Sequence, residues 1–598
     1  FNGPIQIKYL VPNFIRLACI PFQGINVEIE YWVPTSQTLA GRARIINAQS
    51  EPATLSLEWA AVLTPDASGQ RMAPMDIGLS HLLAGKTSNL TPVLYLTGIV
   101  QQGLGPYPAL SHSLELEPHE TRTSTWVSAA MATPEMAFAQ ARQIATRKWD
   151  AETAHLELMN SGQLEIHTGI PDWDTAFMLA QKTARGLVTT NPAESPFASS
   201  VSTRLPDQGY SLRGDGSDYN HLWDGQTLFD LYYLCGLLLP GEAELVHGFL
   251  KNFLEAQSDD GDIPYKPGLA GPPARLTAPP ILATLVWRYY QHSGDRTFLE
   301  YAFPRLLAFL QSWFSPQHDR DGDGIPEWDH PLQTGLDDHP VYANWHTWAQ
   351  GVDISMVEGP DLCAYLHSEI QALIQMAQLI ERPETIPALK SLGDNLVAAV
   401  EANWDEPSAT YQAWDRESHH SSSLTIVGQR QGPGTIQVSS NFDQPVRLLI
   451  HLRSKDETTR PAQGFIHGTG PSGVHRVERV SSERFRWQLG IGRYTSERIY
   501  THLEHIDVQG ILEADTVTIQ TPHLRCREQT CLLPLWAGIP SPERGTNLIS
   551  KTITNSKLFW GKYGLRACAE KTSDPSASSH YQHVHPLWNV LIGEGLLR

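Results

Sequence analysis

Asp319-Arg320-Asp321-Gly322-Asp323-Gly324-Ile325-Pro326-Glu327-Trp328 is the stretch on which the reading of this chain turns, with Asp337 nine residues further on in Thr334-Gly335-Leu336-Asp337-Asp338-His339-Pro340. It lies between segments of helical period. Leu306, Leu307, Leu310, Trp313 and Phe314 form one helical face before it, with Pro304 where a first helical turn would tolerate it, and another helical segment runs near 361–381 after it. Carboxylates, turn-forming glycines and a Trp are thus concentrated in one connection of a helical array. Long connections of this kind carry function more often than the helices they join. Carboxylates beside an aromatic ring are also the groups with which a protein grips a sugar ring and protonates a glycosidic oxygen.

Working outward, further helical segments are predicted near 173–188, 223–239, 279–292 and 386–403, and Leu245, Phe249, Leu250, Phe253 and Leu254 share one helical face. Before about residue 165 the period is two: Ile25-Asn26-Val27-Glu28-Ile29-Glu30-Tyr31 and Thr54-Leu55-Ser56-Leu57-Glu58-Trp59 alternate between turn residues. Between 418 and 525 the period returns to two, as in Thr435-Ile436-Gln437-Val438 and Val446-Arg447-Leu448-Leu449-Ile450, and helical character resumes near 533. The fold class that follows is mainly α with β domains. Residues 1–165 are expected to form an antiparallel β-sandwich. Residues 166–417 and 526–598 are expected to form an α/α toroid, with 418–525 as an inserted β domain that leaves and re-enters at one loop.

At 598 residues two or more domains are required. The net charge of −20 argues against nucleic acid, because no basic surface would neutralise phosphates. No apolar run reaches membrane-spanning length, so no membrane partner is expected. Six scattered cysteines fit a reducing compartment, and a cytoplasmic location is expected; Cys526 and Cys531 are read as free thiols. The chain starts at Phe1, and a processed or truncated N-terminus is expected.

Asp319, Asp321 and Asp323, with Gly324 at the sharp turn, match the opening of a calcium loop. The position for its bidentate Glu holds His330, and Glu327 is the substitute. A solvated acidic turn stands as the alternative; otherwise no cofactor is required. Asp337 can be a general acid or a turn residue, and Asp224, in Trp223-Asp224-Gly225, can bind a sugar or cap a helix. No phosphate loop, dinucleotide fingerprint, His-Glu-x-x-His helix or Gly-x-Ser-x-Gly elbow is present. His580-Tyr581-Gln582-His583-Val584-His585 would share a face on a strand, but ordinary histidines are the preferred reading.

At His221-Leu222-Trp223-Asp224-Gly225, Asp260-Gly261-Asp262-Ile263-Pro264, Thr277-Ala278-Pro279-Pro280, Asp319 through Trp328 and Gln333 through Pro340, the chain resembles glycoside hydrolases of family 63 and the trehalase-like (α/α)6 group. The resemblance covers roughly 170–415 and 530–598. It implies an inverting hydrolase of an α-glycosidic, most readily α-glucosidic, bond in a small oligosaccharide or glycoside. Asp337 matches the family's general acid, and Trp223, Asp224, Trp328, Gln333 and Asp338 are carried over as sugar-binding residues. Gln333-Thr334-Gly335 and Asp338-His339-Pro340 depart from the usual Glu-Ser-Gly and Asn-Ser-Pro. The general-base Glu is not identified; Glu594 reads as a helix tail. The alternatives are a degenerate scaffold that binds carbohydrate, and another toroid enzyme such as an α-rhamnosidase or a glycogen-debranching glucosidase.

Overall fold

The computed structural model describes residues 3–11, 13–65, 67–160, 164, 166–189, 197–200, 226–267, 276–335, 339, 341–342, 354–569 and 582–598. The chain divides into two compact units, Phe1–Gly186 and Leu187–Arg598.

The first unit is an antiparallel β-sandwich. Its larger sheet runs in the order Gln6–Val11, Phe14–Phe22, Ile25–Thr35, Thr38–Asn47, Thr121–Met131, Thr91–Leu96, Ser80–Lys86 and Gln70–Ile77. The smaller one orders Ala53–Ala60, Ala109–Leu116 and Gln101–Gln102. Leu82, Val93 and Val127 fill a core beneath the larger sheet. The purely β reading of residues 1–165 is corrected here, because Pro134–Ala145 and Trp149–Asn160 are helices. Thr133 caps the first by accepting from the Met136 N–H, Pro134 sits in its first turn, and Ala137, Phe138, Ala141 and Ile144 turn one face into the sandwich core. The Trp149 indole N–H donates to Glu30 at 2.6 Å, pinning the second helix to the sheet.

In the second unit the predicted helices form at Leu228–Leu238, Ala243–Glu255, Leu282–Ser293, Arg296–Trp313, Pro360–Leu379 and Ile386–Ala402. Helix Pro360–Leu379 is buried on most of its circumference and packs against Leu282–Ser293, Arg296–Trp313, Ile386–Ala402 and Leu533–Ala537. Its Glu369 caps a neighbour: one carboxylate oxygen accepts from Ala283 N at 2.6 Å and the other from Thr284 N at 2.7 Å, at a helix start with no cap of its own. Two local readings are replaced. Pro304 lies inside helix Arg296–Trp313, which starts earlier because Asp295 accepts from Phe298 N at 2.9 Å. Pro304 and Glu300 are both exposed, so the carbonyl that loses its partner faces water. The N-cap after the Trp223-Asp224-Gly225 motif is Thr227, which accepts from Asp230 N at 3.1 Å.

The expected β insertion is a sheet in the order Ile426–Gln431, Thr516–Gln520, Gly434–Arg453, Ile491–Gln509, Gln463–Thr469 and His475–Val480, with Arg486–Gln488 paired to Ile491–Gln509. Leu448, Ile450, Ile466, Leu503, Ile506 and Val517 form its core. The fully buried Arg447 ties the sheet to the chain that precedes it. It bonds Asp415 at 2.5 Å and the Ser496 and Glu497 carbonyls at 2.8 Å each. None of the six cysteines is in a disulfide; Cys526 and Cys568 stand 3.6 Å apart, Sγ to Sγ. Among the described residues no helix is long and apolar enough to cross a membrane.

Candidate functional site

The Asp319–Trp328 loop is built from its own side chains. Asp319 accepts from Gly322 N at 2.9 Å and Gly324 N at 3.1 Å, and Asp323 accepts from Ile325 N at 2.8 Å. This folds the loop back on itself and leaves Asp321 and Asp323 exposed at its rim. Glu327 turns inward and is completely buried. Its second carboxylate oxygen accepts from the Arg320 guanidinium at 3.0 Å, while its first has no hydrogen-bond partner.

Glu358 meets this loop from another segment. It belongs to a two-residue strand in which Val357 pairs with Asp415 and Glu358 with Trp414, and it accepts from the Trp414 indole N–H. Its other oxygen is buried without a hydrogen-bond partner. One oxygen each of Asp321, Glu327 and Glu358 lie within 4.8 Å of one another, as do ligand atoms of Asp321, Asp323 and His419. Burial raises the carboxyl of Glu327 to about 7 and, with Asp323 close by, that of Glu358 to about 10. Three converging carboxylates, two of them fully buried, are a donor set suited to calcium, and the Arg416 guanidinium, 3.9 Å from Glu327 Oε1, shares their charge. Of the expected ligands, Asp321 lies close to Asp323 in one group and to Glu327 in the other, and both Asp319 oxygens accept from loop N–H groups. Glu358 was not foreseen, since nothing local marks it.

A second network joins the other motifs. The His318 imidazole is buried between Asp329, whose Oδ2 is 2.7 Å from Nδ1, and Asp262, whose Oδ1 is 3.9 Å from Nε2. Burial alone would lower its pKa, but the two carboxylates outweigh it and hold His318 at about 9. Asp329 also takes a 2.5 Å bond from the Arg320 guanidinium. Gly261 lets the turn before Asp262 sit against helix Arg296–Trp313, because a Cβ there would stand 2.7 Å from the Ala308 carbonyl oxygen at a φ of +97°.

Gln333 and Trp328 are taken up by the protein itself. Gln333 Oε1 accepts from Asp329 N at 2.9 Å and His330 N at 3.0 Å, and its Nε2 donates to the Thr277 carbonyl at 3.1 Å. It therefore stitches the Thr277-Ala278-Pro279-Pro280 segment to the turn that leads to Asp337. Trp328 is 1% exposed, so no ring face remains for a sugar to stack on. Its N–H donates to Asp361 at 3.0 Å. Asp361 lies in turn 3.9 Å from His339 Nε2, and Glu528 is 3.1 Å from His339 Nδ1. His339 is buried, which alone would lower its pKa; the two carboxylates raise it to about 9.

Asp337, Asp338, Trp223 and Asp224 lie outside the described residues. The chain before Asp337 is held by Gln333, and the chain after it by His339 and by Val341, whose N–H donates to Glu528 at 3.2 Å. Glu594 sits in helix Pro586–Leu597 and is engaged by Tyr232, by Arg288 at 3.1 Å and by the Trp536 N–H at 3.2 Å. His585 stands at the start of that helix, and His580 and Tyr581 lie outside the described residues.

Residues 244–435 match the family model described as the mannosylglycerate hydrolase MGH1-like glycoside hydrolase domain. Mannosylglycerate hydrolases MGH1 and MGH2 of Selaginella moellendorffii are each 30% identical to the chain over 156 residues, 22% of this chain and 31% of theirs. The chain thus spans under a third of the length of the curated relatives it matches. Among solved structures, the GH63 mannosylglycerate hydrolase from Thermus thermophilus in complex with glucose superposes with a TM-score of 0.41 at 15% identity, covering 70% of this chain and 86% of that one. The same hydrolase in complex with Tris and D-glycerate gives 0.41 at 15% identity, covering 70% and 87%. Over residues 244–435 the chain is thus similar to glycoside hydrolase domains of the mannosylglycerate hydrolase MGH1-like kind.

Proposed function

We propose that the glycoside hydrolase domain matched over residues 244–435 makes this chain an inverting hydrolase of an α-glycosidic bond, with Asp337 as general acid. The reading rests on one observation above the others: the matched segment contains the Asp319–Trp328 loop and the Gln333–Pro340 turn together. Asp337 would protonate the leaving oxygen while a carboxylate on the opposite face of the sugar activates water, about 6.5–9.5 Å away. Trp223, Asp224 and Asp338 would hold the sugar. The helical part, 166–417 with 526–598, would be an (α/α)6 toroid carrying 418–525 as an insertion. Small glycosides of glycerate are the first substrates to test, because the matched relatives are named mannosylglycerate hydrolases.

We further propose a structural calcium ion on Asp321, Glu327 and Glu358, with Asp323 at its rim. Two fully buried carboxylates that each keep one oxygen without a hydrogen bond support it. The ion would neutralise these charges and fix the loop that leads through Trp328 and Gln333 toward Asp337.

Proton NMR of the chain with mannosylglycerate, glucosylglycerate and a panel of α-glucosides, α-mannosides and α-rhamnosides tests the hydrolase reading. The β-anomer should appear first, and Asp337→Asn should lower the rate by about 10²–10⁴-fold. Retention of configuration, or full activity of Asp337→Asn, would overturn it. No turnover across the panel would favour a scaffold that binds carbohydrate without cleaving it.

A further inference from the structure

The inserted sheet has one buried and one outer face, and the outer face carries a cluster that the glycosidase reading does not use. Strand pairing sets His467 of Gln463–Thr469 directly opposite His505 of Ile491–Gln509. Asp507, two residues on, projects to the same face, and Thr435 of Gly434–Arg453 lies opposite it. The two imidazoles stack with centroids 4.2 Å apart and planes at 12°. Asp507 Oδ2 is 3.5 Å from His467 Nε2 and 4.0 Å from His505 Nε2, and the three ligand atoms lie within 4.8 Å of one another.

The geometry points to a binding site for a divalent transition-metal ion, zinc by first choice, on His467, His505 and Asp507. Two imidazoles and one carboxylate are a donor set that favours zinc, copper or nickel over calcium or magnesium. Around a tetrahedral ion with bonds of about 2.0–2.1 Å, ligand atoms stand about 3.3–3.4 Å apart. The Asp507–His467 separation is already close to this; the stacked rings hold their Nε2 lone pairs nearly parallel, so one partly exposed imidazole must turn out of the stack for both to meet one ion.

Two further features fit a ligand site. Asp507 Oδ1 accepts a 2.6 Å bond from the Thr435 hydroxyl, which orients the carboxylate and leaves Oδ2 toward the histidines. The backbone beneath is rigid, since Ile466, Leu503 and Ile506 on the opposite face are fully buried. The ladder between the two histidine-bearing strands is irregular at Glu504, so Glu504 and His505, consecutive in sequence, both escape the core between buried Leu503 and Ile506. Glu504 lies 3.4 Å from His475 Nε2, and the His475 ring is 6.2 Å from that of His467. Three protein ligands with a fourth position open to solvent or to this neighbouring pair describe the site.

The test uses the full chain, stripped with chelator and kept in excess calcium. Zinc is titrated against a chromophoric indicator, and cobalt(II) is followed by its visible ligand-field absorption. One zinc equivalent is expected whose affinity falls at least about 100-fold in His467→Ala/His505→Ala and about 10-fold or more in Thr435→Val, which keeps all three ligands. His81→Ala, which removes the exposed His81–Asp76 pair elsewhere, should leave the titration unchanged. The inference is overturned if the parent chain takes up no zinc. It is equally overturned if the double variant, with unaltered circular dichroism, keeps the parent affinity and cobalt spectrum.

Discussion

Glu327 and Glu358, more than thirty residues apart in sequence, each point a carboxylate oxygen at the other inside the protein, and neither side chain is exposed at all. Two such groups repel when ionised and are costly to bury. A cation between them offsets the repulsion and adds to the compensation that Arg320 already gives Glu327. Calcium added to the stripped chain should raise its unfolding midpoint, by the equivalent of about 2.7 kcal/mol at a hundredfold excess over Kd. Glu358→Gln keeps the acceptor for the Trp414 N–H and removes the charge, so its calcium-dependent shift should largely vanish. An equal shift in parent and variant would place the ion elsewhere.

His339 gives a pH signature. Its folded pKa of about 9 lies above the ordinary value of 6.5. The contribution is therefore complete below about pH 6.5 and is lost as pH rises through about 9, and its size is of the order of 3 kcal/mol. Urea unfolding midpoints measured from pH 6.5 to 9.5 should fall in the parent chain and flatten in His339→Gln. Parallel profiles would show that His339 is not held as a cation by Glu528 and Asp361.

Arg447 braces the inserted sheet against Asp415, whose strand partner Val357 adjoins Glu358. Arg447→Ala leaves Asp415 buried without its counter-charge and should cost about 3–5 kcal/mol. Because the same strand pair positions Glu358, calcium affinity should weaken as well. Calorimetry and calcium titration read the two effects separately, and loss of stability with unchanged affinity would uncouple the insertion from the loop.

Glu369 acts as a cap supplied by one helix to the start of another. Glu369→Ala leaves the Ala283 and Thr284 N–H groups unsatisfied in the interior and should destabilise by about 1–3 kcal/mol, while Glu369→Gln, which keeps an acceptor, should cost less. Equal losses in the two variants would mean that packing, not capping, is at stake.

Local chemistry was legible wherever the residues that act together are adjacent in sequence. The Asp319–Glu327 loop could be read because its aspartates alternate through a turn that they themselves fold. The inserted sheet could be read because runs such as Thr435-Ile436-Gln437-Val438 alternate between its faces. The helices at Pro134–Ala145 and Trp149–Asn160 carried a legible signal too, in Thr133-Pro134 and in buried positions at helical spacing, but they follow a long β run. Trp328 and Gln333 kept their place in the motif and changed their meaning, because burial turned a ring and an amide that could meet a sugar toward Asp361, Asp329 and Thr277.

By itself, the sequence determined the period of each segment, the turn that Asp319 closes and the residue types gathered there, since these depend on neighbours a few positions apart. Only the tertiary structure decided that Glu358 joins Glu327, that Asp262 and Asp329 flank His318, and that His467 lies opposite His505. Each of those meetings depends on how distant strands and helices pack, and no local pattern encodes the register at which they do so.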